Sequence, residues 1–220
     1  SGNFSPAEMV RGYSVIATGG YITDIHFIDN IQDRFGNFIF SHNESSNKKN
    51  YQNINAFPWL DTLEMNLNKP YSVLKPLNKN ERVIDERISF MMEDILRGFM
   101  KNGVAGRKSE FLKRDDIAGK TGTTNDSVST WFSGFHSDLV TTVWVGTDDF
   151  TSLGENEFGS TIALPIWLNY MDFKLNTLEV SQDPIPENIS FVRVNKSTGE
   201  IDKESTDNFY FELFLDENIN

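Results

Sequence analysis

The sequence predicts an α+β fold, an antiparallel sheet with flanking helices. Three observations carry the prediction. Residues 117–124, 129–135 and 139–146 are strand-length apolar-polar segments joined by short polar turns. Helical periodicity runs through 5–18 and again through 85–102. The 220 residues suffice for a sizeable core, and 38% apolar residues with 18 Phe argue for a folded globular chain.

In chain order, Ser5 stands as an N-cap, with Pro6 in the first turn and Glu8 three residues after the cap. Met9, Val10, Tyr13, Ile16 and Ala17 give that helix its apolar face, and Gly19-Gly20 ends it. Residues 21–29 and 31–40 read as strands, broken by the turn Asp33-Arg34-Phe35-Gly36-Asn37. From 41 to 55 Ser, Asn and Lys dominate, which predicts a surface loop or insert, and 56–80 fit no element. The second helix carries Ile88, Met91, Met92, Ile95, Leu96 and Phe99 at i, i+3, i+4, i+7 spacing, the pattern of a buried core face.

After the three-stranded meander, a short helix is expected over 163–173, capped by Ser160-Thr161 and with Pro165 in its first turn. Pro184-Ile185-Pro186 marks a linker. Residues 189–195, the turn Lys196-Ser197-Thr198-Gly199 and Glu200-Ile201 read as a terminal hairpin, while apolar 209–215 has no evident partner. The expected division is 1–180 as the main domain, with 41–80 as an insert or irregular part, and 181–220 as a C-terminal extension.

A net charge of −12 speaks against nucleic-acid binding, which rests on clustered Lys and Arg. Without cysteine there is neither a disulfide nor a thiolate site. No apolar run reaches the ~18–20 residues of a membrane span, and Ser1-Gly2-Asn3 lacks the charged-then-apolar plan of a signal peptide. His26, His42 and His136 are scattered without ligand spacing and read as structural or surface residues, so neither metal nor cofactor is expected.

Chemistry concentrates at Lys120-Thr121-Gly122-Thr123-Thr124. Gly119 and Gly122 bracket the lysine on a predicted strand, where glycine is costly unless a ligand or a second backbone approaches closely. Such an edge suits an extended peptide added as a strand, with Lys120 and the hydroxyls of Thr121 and Thr123 facing an anionic group. A phosphate loop is excluded, because its leading glycine position, five before Gly119, holds Arg114. Asp148-Asp149 reads as a solvated turn, and Trp131 and Trp144 either border the groove or pack in the core.

The run from Arg114-Asp115-Asp116-Ile117-Ala118-Gly119 through Lys120-Thr121-Gly122-Thr123-Thr124-Asn125-Asp126, followed by Trp131-Phe132-Ser133-Gly134-Phe135, resembles the third motif and next strand of class A penicillin-binding proteins. Ser5-Pro6-Ala7-Glu8-Met9 with Gly19-Gly20-Tyr21, Arg82-Val83-Ile84, Thr142-Val143-Trp144-Val145-Gly146 and Ala163-Leu164-Pro165-Ile166-Trp167 are similar to family segments in the same order. The resemblance implies a partial penicillin-binding/serine β-lactamase-like transpeptidase fold. It implies a peptidoglycan D,D-transpeptidase that acylates a serine with the D-Ala-D-Ala end of a stem peptide and is mimicked by β-lactams.

On the same resemblance, Lys120 supplies positive field and helps proton transfer. Thr121 and Thr123 bind the substrate carboxylate, Gly122 and Thr124 belong to the same substrate-binding strand, and the Thr123 N–H completes an oxyanion hole. The implied partners are the peptidoglycan stem peptide, β-lactams, and the rest of a bifunctional synthase with its glycosyltransferase half. That synthase would be held at the periplasmic face of the cell inner membrane by a segment not present here.

The family also needs a Ser-x-x-Lys helix and a Ser-x-Asn loop, and neither is expected in this chain. Ser72-Val73-Leu74-Lys75 falls out of family order between Pro70 and Pro76. Ser45-Ser46-Asn47-Lys48, Ser46-Asn47-Lys48-Lys49 and Ser41-His42-Asn43 lie in or at the edge of the polar insert, and Ser1-Gly2-Asn3 directly precedes the first helix. The expectation is therefore a piece of a transpeptidase, inactive alone; the alternative is a non-catalytic peptidoglycan- or partner-binding module with the same groove.

Overall fold

The computed structural model describes residues 4–23, 25–41, 81–181, 184–203 and 207–219. The chain divides into two compact units, one of Ser1–Thr23 with Asn80–Asn220 and one of Asp24–Lys79.

In the larger unit, α1 (Pro6–Ala17) starts with the expected capping box: Glu8 N–H donates to Ser5 Oγ at 3.3 Å and Ser5 N–H to Glu8 Oε2 at 2.7 Å. Gly19 and Gly20 end it at φ +70° and +97°. Gly20 O accepts the N–H groups of Val83 at 2.8 Å and Ile84 at 3.2 Å, and Ile22 N–H donates to Glu81 O at 3.1 Å. A Cβ on Gly20 would overlap Ile84 O, so glycine is required there by space as well as by conformation.

The smaller unit contains the hairpin β1 (Asn30–Gln32) and β2 (Phe38–Ser41). The Asp33 carboxylate accepts the N–H groups of Phe35 and Asn37 at 2.8 and 2.9 Å, and Gly36 takes φ +87°. Among the described residues of 21–29, the expected strand does not form. The turn pairs only its immediate flanks, and Tyr21 makes an isolated bridge to Arg82. The expectations for 42–80, including Ser45-Ser46-Asn47-Lys48 and Ser72-Val73-Leu74-Lys75, lie outside the described residues, as does Ser1-Gly2-Asn3.

Helix α2 (Glu86–Asn102) is capped by Asp85, whose carboxylate accepts the Arg87 N–H at 2.9 Å. Its buried face is the expected one only in part: Leu96 is buried and Phe99 packs against the core, as the spacing predicts. Ile88, Met92 and Ile95 are 44, 42 and 59% exposed, whereas Ser89, Glu93, Leu96 and Met100 are buried. The buried face combines apolar Leu96 and Met100, which join the core, with Ser89, whose Oγ donates to Ile16 O of α1 at 2.9 Å, and Glu93, which pairs with Arg97 one turn on. Periodicity marks an apolar face but does not say which face its neighbours cover.

A single turn, α3 (Gly106–Ser109), leads into the sheet of β3 (Ala118–Thr123), β4 (Ser129–His136) and β5 (Leu139–Gly146), the antiparallel meander expected, in the order β3-β4-β5. Phe132 and Phe135 lie three residues apart on β4 and so face opposite ways. Phe135 joins Ala118, Leu96 and, from α1, Tyr13, Ile16 and Ala17. Phe132 joins Ile117, Met100, Ala105 and the inner face of α4 (Ala163–Leu175), namely Leu164, Trp167, Leu168 and Met171. Trp167 is fully buried, with its ring 4.8 Å from that of Phe132 and Nε1–H donating to Thr141 O at 3.1 Å.

Pro165 sits in the first turn of α4 as expected, but Ser160-Thr161 do not cap the helix. Ile162 holds the N-cap position, and Thr161 Oγ1 instead accepts the Phe158 N–H at 2.8 Å. The terminal hairpin also differs in its second strand. β6 (Ile189–Asn195) pairs in full with β7 (Phe209–Leu215), from Ile189↔Leu215 to Asn195↔Phe209. Ile201 contributes only a bridge to Val194. The apolar 209–215 segment offers seven residue pairs where Glu200-Ile201 offers one.

Candidate active site

The entry of β3 is held by a buried polar latch. Arg114 donates from Nε and Nη2 to the two oxygens of Asp116 at 2.8 and 2.7 Å, and Ser181 N–H donates to Asp116 Oδ2 at 2.8 Å. The guanidinium reaches on to the carbonyls of Leu178 and Glu179 at 2.9 and 2.8 Å. His136, 1% exposed at the end of β4, places Nε2 3.2 Å from Asp116 Oδ2 and 3.1 Å from Glu179 O, while Nδ1 accepts the Asp138 N–H. Burial pushes the Asp116 carboxyl up, but the hydrogen bonds from Arg114 and Ser181 outweigh it and hold the carboxyl below its usual range. His136 is thus a structural residue.

Beyond the latch, Lys120, Thr121, Gly122, Thr123 and Thr124 line one groove of about 340 Å³. Phe4, Met9 and Tyr13, with Trp131 and Ser133 of β4, complete its lining. Gly119 and Gly122 answer to their neighbours: a Cβ on Gly119 would sit 2.8 Å from the Phe132 ring, and one on Gly122 3.2 Å from Trp131 Cβ. Lys120 is exposed; its Nζ lies 4.7 Å from the centre of the Phe99 ring and donates to Thr121 O at 3.1 Å. Thr121 Oγ1 lies 3.5 Å from the same Nζ.

The three hydroxyls are used differently. Thr124 Oγ1 donates to Ser129 O at 3.1 Å and accepts Ser129 N–H at 2.8 Å, so it closes the β3–β4 turn. Thr123 Oγ1 accepts the Gly159 N–H at 3.0 Å. The backbone adds a further donor. Thr124 N–H points to Ser129 O on β4, so strand alternation turns the N–H of Thr123 toward the edge of β3 away from β4. Among the described residues, that edge belongs to no other strand.

Tyr13 and Gly159 were not foreseen as groove residues. Tyr13 reads from sequence as part of a core face, and its phenol is pushed up by burial while it lines the groove. Gly159 stands in a Gly- and Ser-containing link between strand and helix, a composition common to many turns. Trp131 lines the groove half-buried, with its ring 6.2 Å from that of Trp144, which is 39% exposed. Asp148 and Asp149 lie in an exposed turn, where the Thr151 hydroxyl donates to Asp149 at 3.0 Å. Among the described residues no helix is long and apolar enough to cross a membrane.

The family model of the penicillin-binding protein transpeptidase domain matches residues 2–171. Penicillin-binding protein 1A of Pseudomonas aeruginosa is 35% identical over 230 residues, covering 97% of this chain and 28% of that protein. The Vibrio cholerae penicillin-binding protein 1A is 29% identical, with 97% and 28% covered. The crystal structure of penicillin-binding protein 1A from Haemophilus influenzae superposes with a TM-score of 0.75 at 28% identity, covering 96% of this chain and 32% of that one. PonA1 of Mycobacterium tuberculosis, solved in complex with penicillin V, shares the fold at a TM-score of 0.55 and 19% identity, covering 82% and 40%. The chain therefore spans between a quarter and a third of the Pseudomonas, Vibrio and Haemophilus proteins.

Proposed function

The chain belongs to the penicillin-binding protein transpeptidase family, and on that premise we propose that it supplies the carboxylate-binding strand and one oxyanion-hole donor of a serine-type peptidoglycan D,D-transpeptidase. The observation that carries this is the gathering of Lys120, Thr121 and Thr123 on one groove, next to a strand edge toward which the Thr123 N–H is turned.

In that reaction a serine hydroxyl attacks the carbonyl of the penultimate D-Ala and forms an ester as the terminal D-Ala departs. An amine from a neighbouring stem peptide then displaces the serine and restores a peptide bond. Lys120 and the hydroxyls of Thr121 and Thr123 hold the terminal carboxylate of the donor. The Thr123 N–H stabilises the oxyanion as the carbonyl becomes tetrahedral. β-Lactams occupy the same groove through their own carboxylate.

The serine, its lysine and the Ser-x-Asn loop belong to the remainder of the transpeptidase domain, with a glycosyltransferase domain and a membrane segment elsewhere in a synthase at the periplasmic face of the inner membrane. Residues 1–180, with 41–80 as an insert or irregular part, form the transpeptidase part and 181–220 an extension; the family match covers residues 2–171.

Labelling by a fluorescent penicillin tests the assignment. The whole protein should be labelled, and Lys120→Met should slow labelling by about 100-fold or more. The 220-residue chain alone should stay unlabelled. Covalent labelling at a serine inside the isolated chain refutes the proposed division of the site, and a whole protein that never labels favours the non-catalytic module.

A further inference from the structure

Resting on that carboxylate-binding groove, we propose that the segment between β5 and α4 is a positioning strap, whose Gly159 N–H holds the Thr123 hydroxyl as a hydrogen-bond donor toward the ligand carboxylate. The strap is fastened to the β3–β4 hairpin at three points. Ser152 Oγ donates to Asp126 O at 2.7 Å, Leu153 N–H to Ser127 O at 2.9 Å, and Gly159 N–H to Thr123 Oγ1 at 3.0 Å. Lys108 Nζ donates to the carbonyl of Ser160, and Gly159 O accepts the Leu164 N–H at 2.8 Å, which ties the strap to α4.

Only glycine fits at position 159. A Cβ there would lie 2.5 Å from Trp131 O, 2.7 Å from Gly122 O and 3.1 Å from Thr121 Cβ. Its φ lies outside the left-handed region, so the requirement is for space: the strap backbone lies directly against the strand that bears the groove.

Hydroxyl chemistry supplies the consequence. A threonine hydroxyl has one hydrogen and two acceptor lone pairs. When Oγ1 accepts the Gly159 N–H, the O–H hydrogen must point elsewhere, and Thr123 is exposed on the groove. An acceptor-only carboxylate matches that hydrogen, whereas an ester or amide matches it less well. Thr124 cannot take this role, because its hydroxyl already donates to Ser129 O and accepts Ser129 N–H. Gly159 is accordingly a positioning residue, acting through Thr123.

The test uses the whole protein that carries this chain and two acylating probes, benzylpenicillin and its methyl ester. Gly159→Ala should lower the second-order acylation rate for the acid by about 10-fold or more, the scale of one hydrogen bond to a charged group. The loss for the ester should be smaller by about 5-fold or more, since crowding by the new Cβ affects both probes but the hydrogen bond to a charged group is made by the acid alone. Thr123→Ser should keep the discrimination between acid and ester, and Thr123→Val should reduce it by about 10-fold, leaving the part owed to Lys120 and Thr121. Independently of Gly159→Ala, Thr123→Val should accelerate amide exchange at Gly159 by about 10-fold or more, because the N–H loses its acceptor. Equal losses for acid and ester, unchanged discrimination in Gly159→Ala, or unchanged exchange in Thr123→Val each overturn the strap. A wild-type protein acylated by neither probe overturns the transpeptidase assignment itself, and the strap with it.

Discussion

Replacing Asp116 by Asn should unfasten the strand that carries the groove. Both carboxylate oxygens accept hydrogen bonds, Oδ1 from Arg114 Nε and Oδ2 from Arg114 Nη2 and Ser181 N–H. Whichever way the amide turns, its NH₂ group confronts donors. The Arg114 side chain is only 11% exposed and keeps its charge. Removing one partner of a buried charged pair costs about 3–5 kcal/mol. At about 2–4 °C per kcal/mol for a chain of this size, the melting temperature should fall by roughly 6–20 °C.

Circular dichroism melts at several pH values measure the effect. The Asp116 carboxyl is held below its usual range in the folded protein, so its contribution is fully present above the unfolded value of about 3.9 and is lost as pH falls through the folded value. The gap between wild type and Asp116→Asn should therefore persist at pH 7 and pH 5 and close only below about pH 4. Glu217→Gln, which removes one of the two exposed carboxylate partners of Arg87, serves as the control and should leave the melt almost unmoved. An Asp116→Asn protein that melts with wild type at pH 7 would refute the latch.

Two further substitutions probe the frame. Trp167→Ala removes a fully buried ring and its bond to Thr141 O, and should cost about 3–5 kcal/mol in urea unfolding. A loss under about 1 kcal/mol would show that α4 does not anchor the sheet. Ser5→Ala breaks the capping box of α1 and should cost about 1 kcal/mol, with Ser5→Thr largely sparing it.

Local chemistry made much of this legible. The Ser5–Glu8 box and the Asp33–Gly36 turn act within a few residues, and each behaves as its chemistry requires. The β3-β4-β5 meander was equally legible, because its strands are neighbours in the chain. Most of what failed depended on distant partners; the Ser160-Thr161 cap failed locally, because Thr161 Oγ1 takes the Phe158 N–H instead. The inner face of α2 includes Ser89, which reaches Ile16 O across the fold, and β6 selects Phe209–Leu215 over the nearer Glu200-Ile201. In the candidate site, the Lys120–Thr124 strand announced itself, whereas Tyr13 and Gly159 come from elements far off in sequence.

The stitching of Gly20 and Ile22 to 81–84 has a consequence for how such proteins diversify. The main chain leaves the larger unit and returns to it at adjoining points, so whatever is spliced between them adds no reach to either helix. Loop-closure theory charges only about 0.6 kcal/mol for each doubling of such an excursion. The interval is a natural port for grafted sequence, able to lengthen, shorten or be exchanged while α1 and α2 keep their seats on the sheet.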